Sequence, residues 1–267
     1  MGTAAATCPR FRRVGDVSEL ERVHHFLRAQ GWAGLHLGSY LEQQAAAGVP
    51  PDELLWWVPG PGGALAVALV HRGLLGVLVP QASERTAVQG LLKEREAEIT
   101  KVRVLDGQVD LSWLQGFKCY PRQLSVAPSL LLAPAPALST RAASAADAEA
   151  VHRIYFEVSW MREETAQAWE GRLGRERCWV AELDGQLVAA ARWTMRFGGW
   201  IEVGGVATRP DRRRLGAAAA VTRAATAAAL AEGLQVLLRF EDPGLASLYY
   251  PLGFQPVGRE LALYRGG

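Results

Sequence analysis

The chain has 267 residues, 49% hydrophobic and 21% charged, with 29 Lys and Arg against 27 Asp and Glu for a formal net charge of +2. That is enough apolar material for one large core or two small ones, and the single basic run, Arg212-Arg213-Arg214, is too short to serve as a nucleic-acid footprint. The three cysteines, Cys8, Cys119 and Cys178, are far apart and lack zinc spacing, so neither a disulfide nor a metal is expected.

Met1 to Val14 has no apolar stretch of the secretory kind, and Ala6 stands where N-myristoylation requires Ser or Thr. Leu20 to Gln30 is predicted as an amphipathic helix, followed by strands at Leu54 to Val58, Ala64 to His71 and Leu74 to Pro80. The longest greasy stretch, Ala64 to Val79, is broken by His71, Arg72 and glycines, so it reads as two strands around a turn and not as a membrane span. A helix over Glu84 to Glu94, a strand over Ile99 to Leu105, a short helix near Trp113, and strands at Gln123 to Val126 and Leu130 to Leu132 complete the first half. The expectation is a cytoplasmic protein without membrane or nucleic-acid partners, a monomer or homodimer.

Ala133-Pro134-Ala135-Pro136-Ala137 stiffens the chain and withholds amide donors, which suits a connector between domains 1–136 and 137–267. An edge-strand entry inside one domain is the other reading. Beyond it, Ser144 or Asp147 can cap a helix whose Val151, Ile154, Tyr155 and Val158 repeat at helical spacing, and a second helix is predicted over Glu163 to Leu173. Cys178 to Leu183 and Gln186 to Met195 read as a hairpin across Asp184-Gly185. A strand at Trp200 to Thr208, an alanine-rich helix from Leu215 to Glu232 stopped by Gly233, and a strand at Gln235 to Phe240 follow. A short helix from Leu245 to Leu252 and two strands around Gly258 close an α/β (α+β) pattern.

The chemistry concentrates where the strand ending at Thr208 meets the alanine-rich helix. A Pro210-Asp211 turn leads into small residues at a helix start, where unsatisfied N–H groups and the helix dipole favour an anion and Gly216 lets a phosphate approach the main chain. Walker A and dinucleotide fingerprints are both absent.

Arg213-x-x-Gly216-x-Ala218 resembles the coenzyme A signature of the GNAT N-acetyltransferase superfamily, Arg/Gln-x-x-Gly-x-Gly/Ala. The run from Asp242 through Leu248-Tyr249 to Gly253-Phe254 is similar to that superfamily's Asn-x-x-Ala-x-x-Leu-Tyr-x-x-x-Gly-Phe segment. The resemblance covers Leu138 to Gly267 and implies a mostly antiparallel twisted sheet flanked by helices. It implies that Val206, Ala207 and Thr208 pair with the pantetheine arm and that Arg213, Arg214, Leu215, Gly216, Ala217, Ala218 and Ala219 hold the pyrophosphate. Gly204-Gly205 would mark the bulge that splays two strands. Asp242 stands where relatives carry Asn near the pantetheine.

Acetyl-CoA is then the expected co-substrate, with no metal, and an amine is the acceptor: a small molecule, a protein N-terminus or a lysine. Strand alternation puts Glu202 on the face of Val206, and Glu202 matches the catalytic glutamate of the histone-acetyltransferase branch. Another branch carries its base on the next strand, where the matching position here is the apolar Leu237; that departure favours Glu202, with Glu241 as the reserve. Tyr249 matches the family's proton-donating tyrosine, with Tyr250 expected in the core. Trp160, Met161, Arg162, Glu163 and Glu164 fall where the acceptor pocket is framed.

His24, His25, His36, His71 and Trp56-Trp57 read as structural. The first half lacks both signatures and resembles, in architecture only, the degenerate first copy of tandem GNAT proteins such as the mycothiol synthase type. The competing reading is a non-catalytic acyl-CoA-binding module that recruits a partner.

Overall fold

The computed structural model describes residues 10–81, 85–111, 114–131, 138–158 and 165–266. The proline-alanine connector, Cys8, the helix near Trp113, and the acceptor-pocket residues Trp160 to Glu164 lie outside the described residues. The chain forms two compact units, residues 1–123 with 258–267 and residues 124–257. The end of the chain thus belongs to the first unit. Only the paired partners of a strand decide which unit claims it, and a linear reading has no access to them.

The first unit opens with β1 (Arg12–Arg13), α1 (Val17–Ala29), α2 (Trp32–Ala46) and α3 (Pro51–Leu54). It continues through β2 (Leu55–Gly60), β3 (Gly63–His71), β4 (Leu74–Leu78), α4 (Arg85–Arg95), β5 (Lys101–Leu105) and the start of β6 (Phe117–Ala127). Strands β1 to β4 are successive antiparallel neighbours, and β4 runs parallel to β5. Glu260 to Tyr264 of the last strand pair antiparallel with β5. Asp16 caps α1 by accepting from the Glu19 N–H at 2.9 Å, which starts that helix earlier than Leu20.

Helix α2 escapes a periodicity reading because it buries Gly34, Leu35, Leu37, Gly38, Ser39 and Leu41 without a polar contrast. Gly34 is required there, since a Cβ would lie 1.9 Å from the Leu27 carbonyl oxygen of α1. Of the sequence-predicted structural residues, Trp57 is wholly buried, His71 bonds the Tyr40 hydroxyl at 2.9 Å, and His36 bonds Arg103 at 2.8 Å.

The second unit contains β7 (Ser139–Ala142), α5 (Ala148–Phe156), α6 (Ala166–Leu173), β8 (Cys178–Leu183), β9 (Gln186–Phe197) and β10 (Trp200–Thr208). Then come α7 (Ala217–Ala231), β11 (Gln235–Phe240), α8 (Ala246–Tyr249) and the start of β12 (Gln255–Arg265). The strand order is β6-β11-β10-β9-β8-β7, antiparallel from β7 to β10 and parallel between β10 and β11. Asp184 and Gly185 both take left-handed φ, 51° and 72°, as the hairpin turn demands.

Two expectations change. Leu130 and Leu131 are not in a strand, and Gly258 does not divide two strands but sits within β12. Glycine has no side chain that would forbid an extended backbone, so it was a weak stop signal.

One sheet face packs on α7, where Ile201 and Val203 meet Val221, Ala225 and Ala229; the other packs Val180, Ala190 and Ala207 against Val151, Ile154, Tyr155 and Trp169 of α5 and α6. Alanines let α7 lie close enough for the Trp193 indole N–H to reach the Ala225 carbonyl at 3.1 Å. Ala225→Leu should therefore overpack this layer and cost about 1–3 kcal/mol, read as a lower urea midpoint, with a substitution at the exposed Ala227 of the same helix as control.

Candidate functional site

The ladder between β10 and β11 ends at Val203 opposite Leu238, although β10 continues to Thr208. Against β9, the register breaks between Gly204 and Ala207, so Gly205 and Val206 are paired in neither ladder. Two glycines permit this. A Cβ on Gly204 would meet the Thr194 hydroxyl at 2.8 Å, and Gly205 has φ 57° and crowds the Arg192 side chain.

A cavity of about 690 Å³ opens beside the freed edge of β10. Its walls are Val158, Val206 to Thr208, the residues around the start of α7, and Asp242 to Tyr249. Of the sequence-predicted binding residues it brings together Val206, Ala207, Thr208, Arg213, Arg214, Gly216, Ala217, Ala218, Ala219 and Asp242; Leu215 is not in the wall and is 47% exposed.

The chemistry of this wall suits an extended, phosphorylated ligand. Gly216 stands at the N-cap of α7 with φ 79° and no side-chain cap, so the first amides of the helix are left for an outside acceptor. Arg214 is also left-handed, φ 65°, and neither Arg213 nor Arg214 forms an ion pair among the described residues. By contrast, Arg209 and Arg212 are both paired with Asp211. The Thr208 hydroxyl is buried without a partner among the described residues. An orphaned buried hydroxyl costs stability, so an incoming hydrogen-bonding ligand is favoured there.

Tyr249 is 5% exposed and lines the same cavity, packed between Phe240 and Phe254 with centroids at 5.3 and 6.2 Å. Burial pushes its phenol up to about 12, so it remains a donor across working pH. The adjacent Tyr250, expected in the core, is 37% exposed instead. The short helix turns one of two adjacent tyrosines inward, and Phe240 and Phe254 decide that it is Tyr249.

Glu202 is buried but outside the cavity wall. Its Oε1 accepts from Arg239 Nε and Nη2 at 2.9 and 2.7 Å, and its Oε2 from the Thr194 hydroxyl at 2.5 Å. The alternation that would put it on the face of Val206 fails, because Val206 packs on the α7 side with Ile201 and Val203. The extra residue of the bulge reverses the parity of the strand. Glu241 is exposed and also outside the wall. The lone arginine inside the apolar run Val236 to Phe240 is the sequence signal for this buried ion pair.

Residues 145–254 match the model of the Acetyltransferase (GNAT) family. No curated protein matches the chain. Among solved structures, a GCN5-related N-acetyltransferase from Kribbella flavida is 24% identical over 76% of this chain and 87% of its own, with a TM-score of 0.57. A GCN5-related N-acetyltransferase from Sphaerobacter thermophilus is 16% identical over 97% of both chains, with a TM-score of 0.63. A tandem GNAT protein from the clavulanic acid biosynthesis pathway is 15% identical over 97% of this chain and 99% of its own, with a TM-score of 0.57. The chain therefore has the GNAT fold, a mixed and mostly antiparallel α/β architecture. Among the described residues, no helix is long and apolar enough to cross a membrane.

Two outcomes follow from the buried groups. Glu202→Gln removes the carboxylate that Arg239 holds with two N–H groups and should cost about 3 kcal/mol, whereas pairing it with Arg239→Met should return much of that loss in denaturant titrations. Tyr249 and Cys178, both raised by burial to about 12, keep their protons in the folded state when the unfolded chain has lost them. Stability should thus be full below pH ~8.5 and fall as pH rises through the ordinary thiol and phenol range toward 12, and Tyr249→Phe should flatten part of that slope.

Proposed function

We propose that the chain is an acetyl-CoA-dependent N-acyltransferase that moves an acyl group from the thioester to an amine. The observation that carries this reading is one cavity that joins the freed edge of β10, the uncapped start of α7 with two arginines that form no ion pair among the described residues, and a protonated tyrosine. Coenzyme A would supply the activated thioester. Val206 to Thr208 would offer backbone and the orphan Thr208 hydroxyl to its amide-bearing arm, as an added strand would. The amides from Gly216 to Ala219, with Arg213 and Arg214, would hold its phosphates. Asp242 lines the cavity, but its Oδ1 is taken by the Gly244 N–H at 2.8 Å, so it serves the turn first.

An amine with pKa near ~10 must be deprotonated before attack, and the departing thiolate is helped by a proton. In this reading Tyr249 donates to the sulfur. Glu202 accepts the amine proton by way of a water at the one lone-pair position that Arg239 and Thr194 leave on Oε2, with Glu241 in reserve. The acceptor is a small-molecule or protein amine. The first unit is read as a second, degenerate copy of the fold. In support, α1, α2, β2, β3, β4, α4 and β5 repeat the order of α5, α6, β8, β9, β10, α7 and β11, including the parallel final pair.

Acetyl-CoA at 100 times its Kd should stabilise the folded protein by ~2.7 kcal/mol, seen as a rise in Tm. Gly216→Glu should abolish the rise, by charge and by forcing a side chain onto a left-handed residue; a full rise in that variant would remove the phosphate assignment. Calorimetry on the whole chain should count one acetyl-CoA, and two would make the first unit a working site. Once an amine screen with thiol detection yields a substrate, Glu202→Gln should lower kcat roughly 10²–10⁴-fold with coenzyme A affinity retained, and wild-type turnover would move the role to Glu241 or to solvent.

A further inference from the structure

Three elements converge on a single peptide group of the bulge. Tyr155 of α5 is wholly buried, stacked on Trp169 of α6 with centroids 4.5 Å apart and planes 6° from parallel. Its hydroxyl donates to the Gly205 carbonyl at 2.5 Å. The Arg192 guanidinium from β9 lies 5.9 Å from the Tyr155 ring and 5.4 Å from the Trp169 ring, and it is tied to Glu176 at 2.7 Å. A Cβ on Gly205 would meet Arg192 Nε at 2.9 Å and the Tyr155 oxygen at 3.2 Å, so the contact exists only because residue 205 is glycine. A side chain that only filled the apolar layer of Val151, Ile154 and Ala190 could as well be Phe. The hydroxyl serves the bulge.

The Gly205 carbonyl belongs to the same peptide group as the Val206 N–H, and Val206 lines the cavity. We infer that Tyr155, by donating to the Gly205 carbonyl, aims and polarises the Val206 N–H as the donor to the thioester oxygen, with Trp169 and Arg192 fixing the phenol. This rests on the acyl-CoA reading above. A hydrogen bond received at the oxygen of an amide draws charge toward that oxygen and leaves the N–H more positive, so the bonds strengthen one another, by about 10–30% per bond. A donor fixed in place before reaction stabilises the oxygen as it gains charge without a cost of reorganisation. Burial holds the Tyr155 phenol far above the usual range, so it remains a donor at every working pH. Tyr155 touches neither substrate in this scheme and is a positioning residue.

The test reads the thioester itself and needs no acceptor. Acetyl-CoA labelled with carbon-13 at the thioester carbonyl is bound to the full chain, and isotope-edited difference infrared spectra give the carbonyl stretch. In the wild type the stretch should lie below that of free acetyl-CoA. Tyr155→Phe, which keeps the stacked ring, should lose most of this shift while its calorimetric affinity for coenzyme A without the acyl group is unchanged. Site-specific 3-fluorotyrosine at position 155, a more acidic donor of nearly the same size, should move the stretch further down. If Tyr155→Phe does not fold, the fluorinated protein carries the test, and an unmoved stretch there overturns the inference. An unchanged shift in Tyr155→Phe overturns it as well, with the acyl-CoA reading left standing. Failure of the wild type to bind acetyl-CoA overturns both.

Discussion

Everything in the second unit is arranged around the parting of β10 from β11. Backbone N–H and C=O groups withdrawn from a ladder must be paired elsewhere or left to solvent or a ligand, since a buried orphan is costly. Up to Val203 the two strands satisfy each other; beyond it β10 keeps to β9 through Gly204, loses that register at Gly205 and Val206, and regains it at Ala207. The Gly205 carbonyl in between is taken by Tyr155, a side chain from a helix and not a strand. The remaining edge borders the cavity, which is the one place where an unpaired backbone can be useful.

The charges divide along the same line. On the closed side of the split, Arg239 and Glu202 neutralise each other between paired strands, each less than a tenth exposed. On the open side, Arg213 and Arg214 stand at the start of α7 without carboxylate partners among the described residues, while the nearby Asp211 is committed to Arg209 and Arg212. Committed arginines hold a fold together; uncommitted ones beside free helix amides attract an anion. The first unit has a comparable parallel pair in β4 and β5 but no Arg-x-x-Gly-x-Ala sequence ahead of α4.

Much of this was written in local sequence. The hairpin turn at Asp184-Gly185, the strand from Trp200 to Thr208 and the alanine-rich helix ended by Gly233 follow from short-range preferences of φ, spacing and helix propensity. The cradle at Gly216 was legible for the same reason, because a helix start with small residues is a local object. Helix α2 was not, since its buried glycines and Ser39 make sense only against Leu27 of α1 and the sheet.

The sequence by itself determined which backbone segments could form and where an anion could meet free amides. Only the tertiary structure decided what each buried polar group answers to. Alternation put Glu202 on the face of Val206, but one additional residue in the bulge reversed the parity, and Arg239, 37 residues on, and Thr194 on the neighbouring strand claimed the carboxylate. Tyr155 read as one more apolar position of a helix until its hydroxyl met the Gly205 carbonyl. Strand parity and helix periodicity are properties of a few consecutive residues, whereas a buried hydrogen bond depends on a partner whose distance along the chain has no bearing on its distance in space.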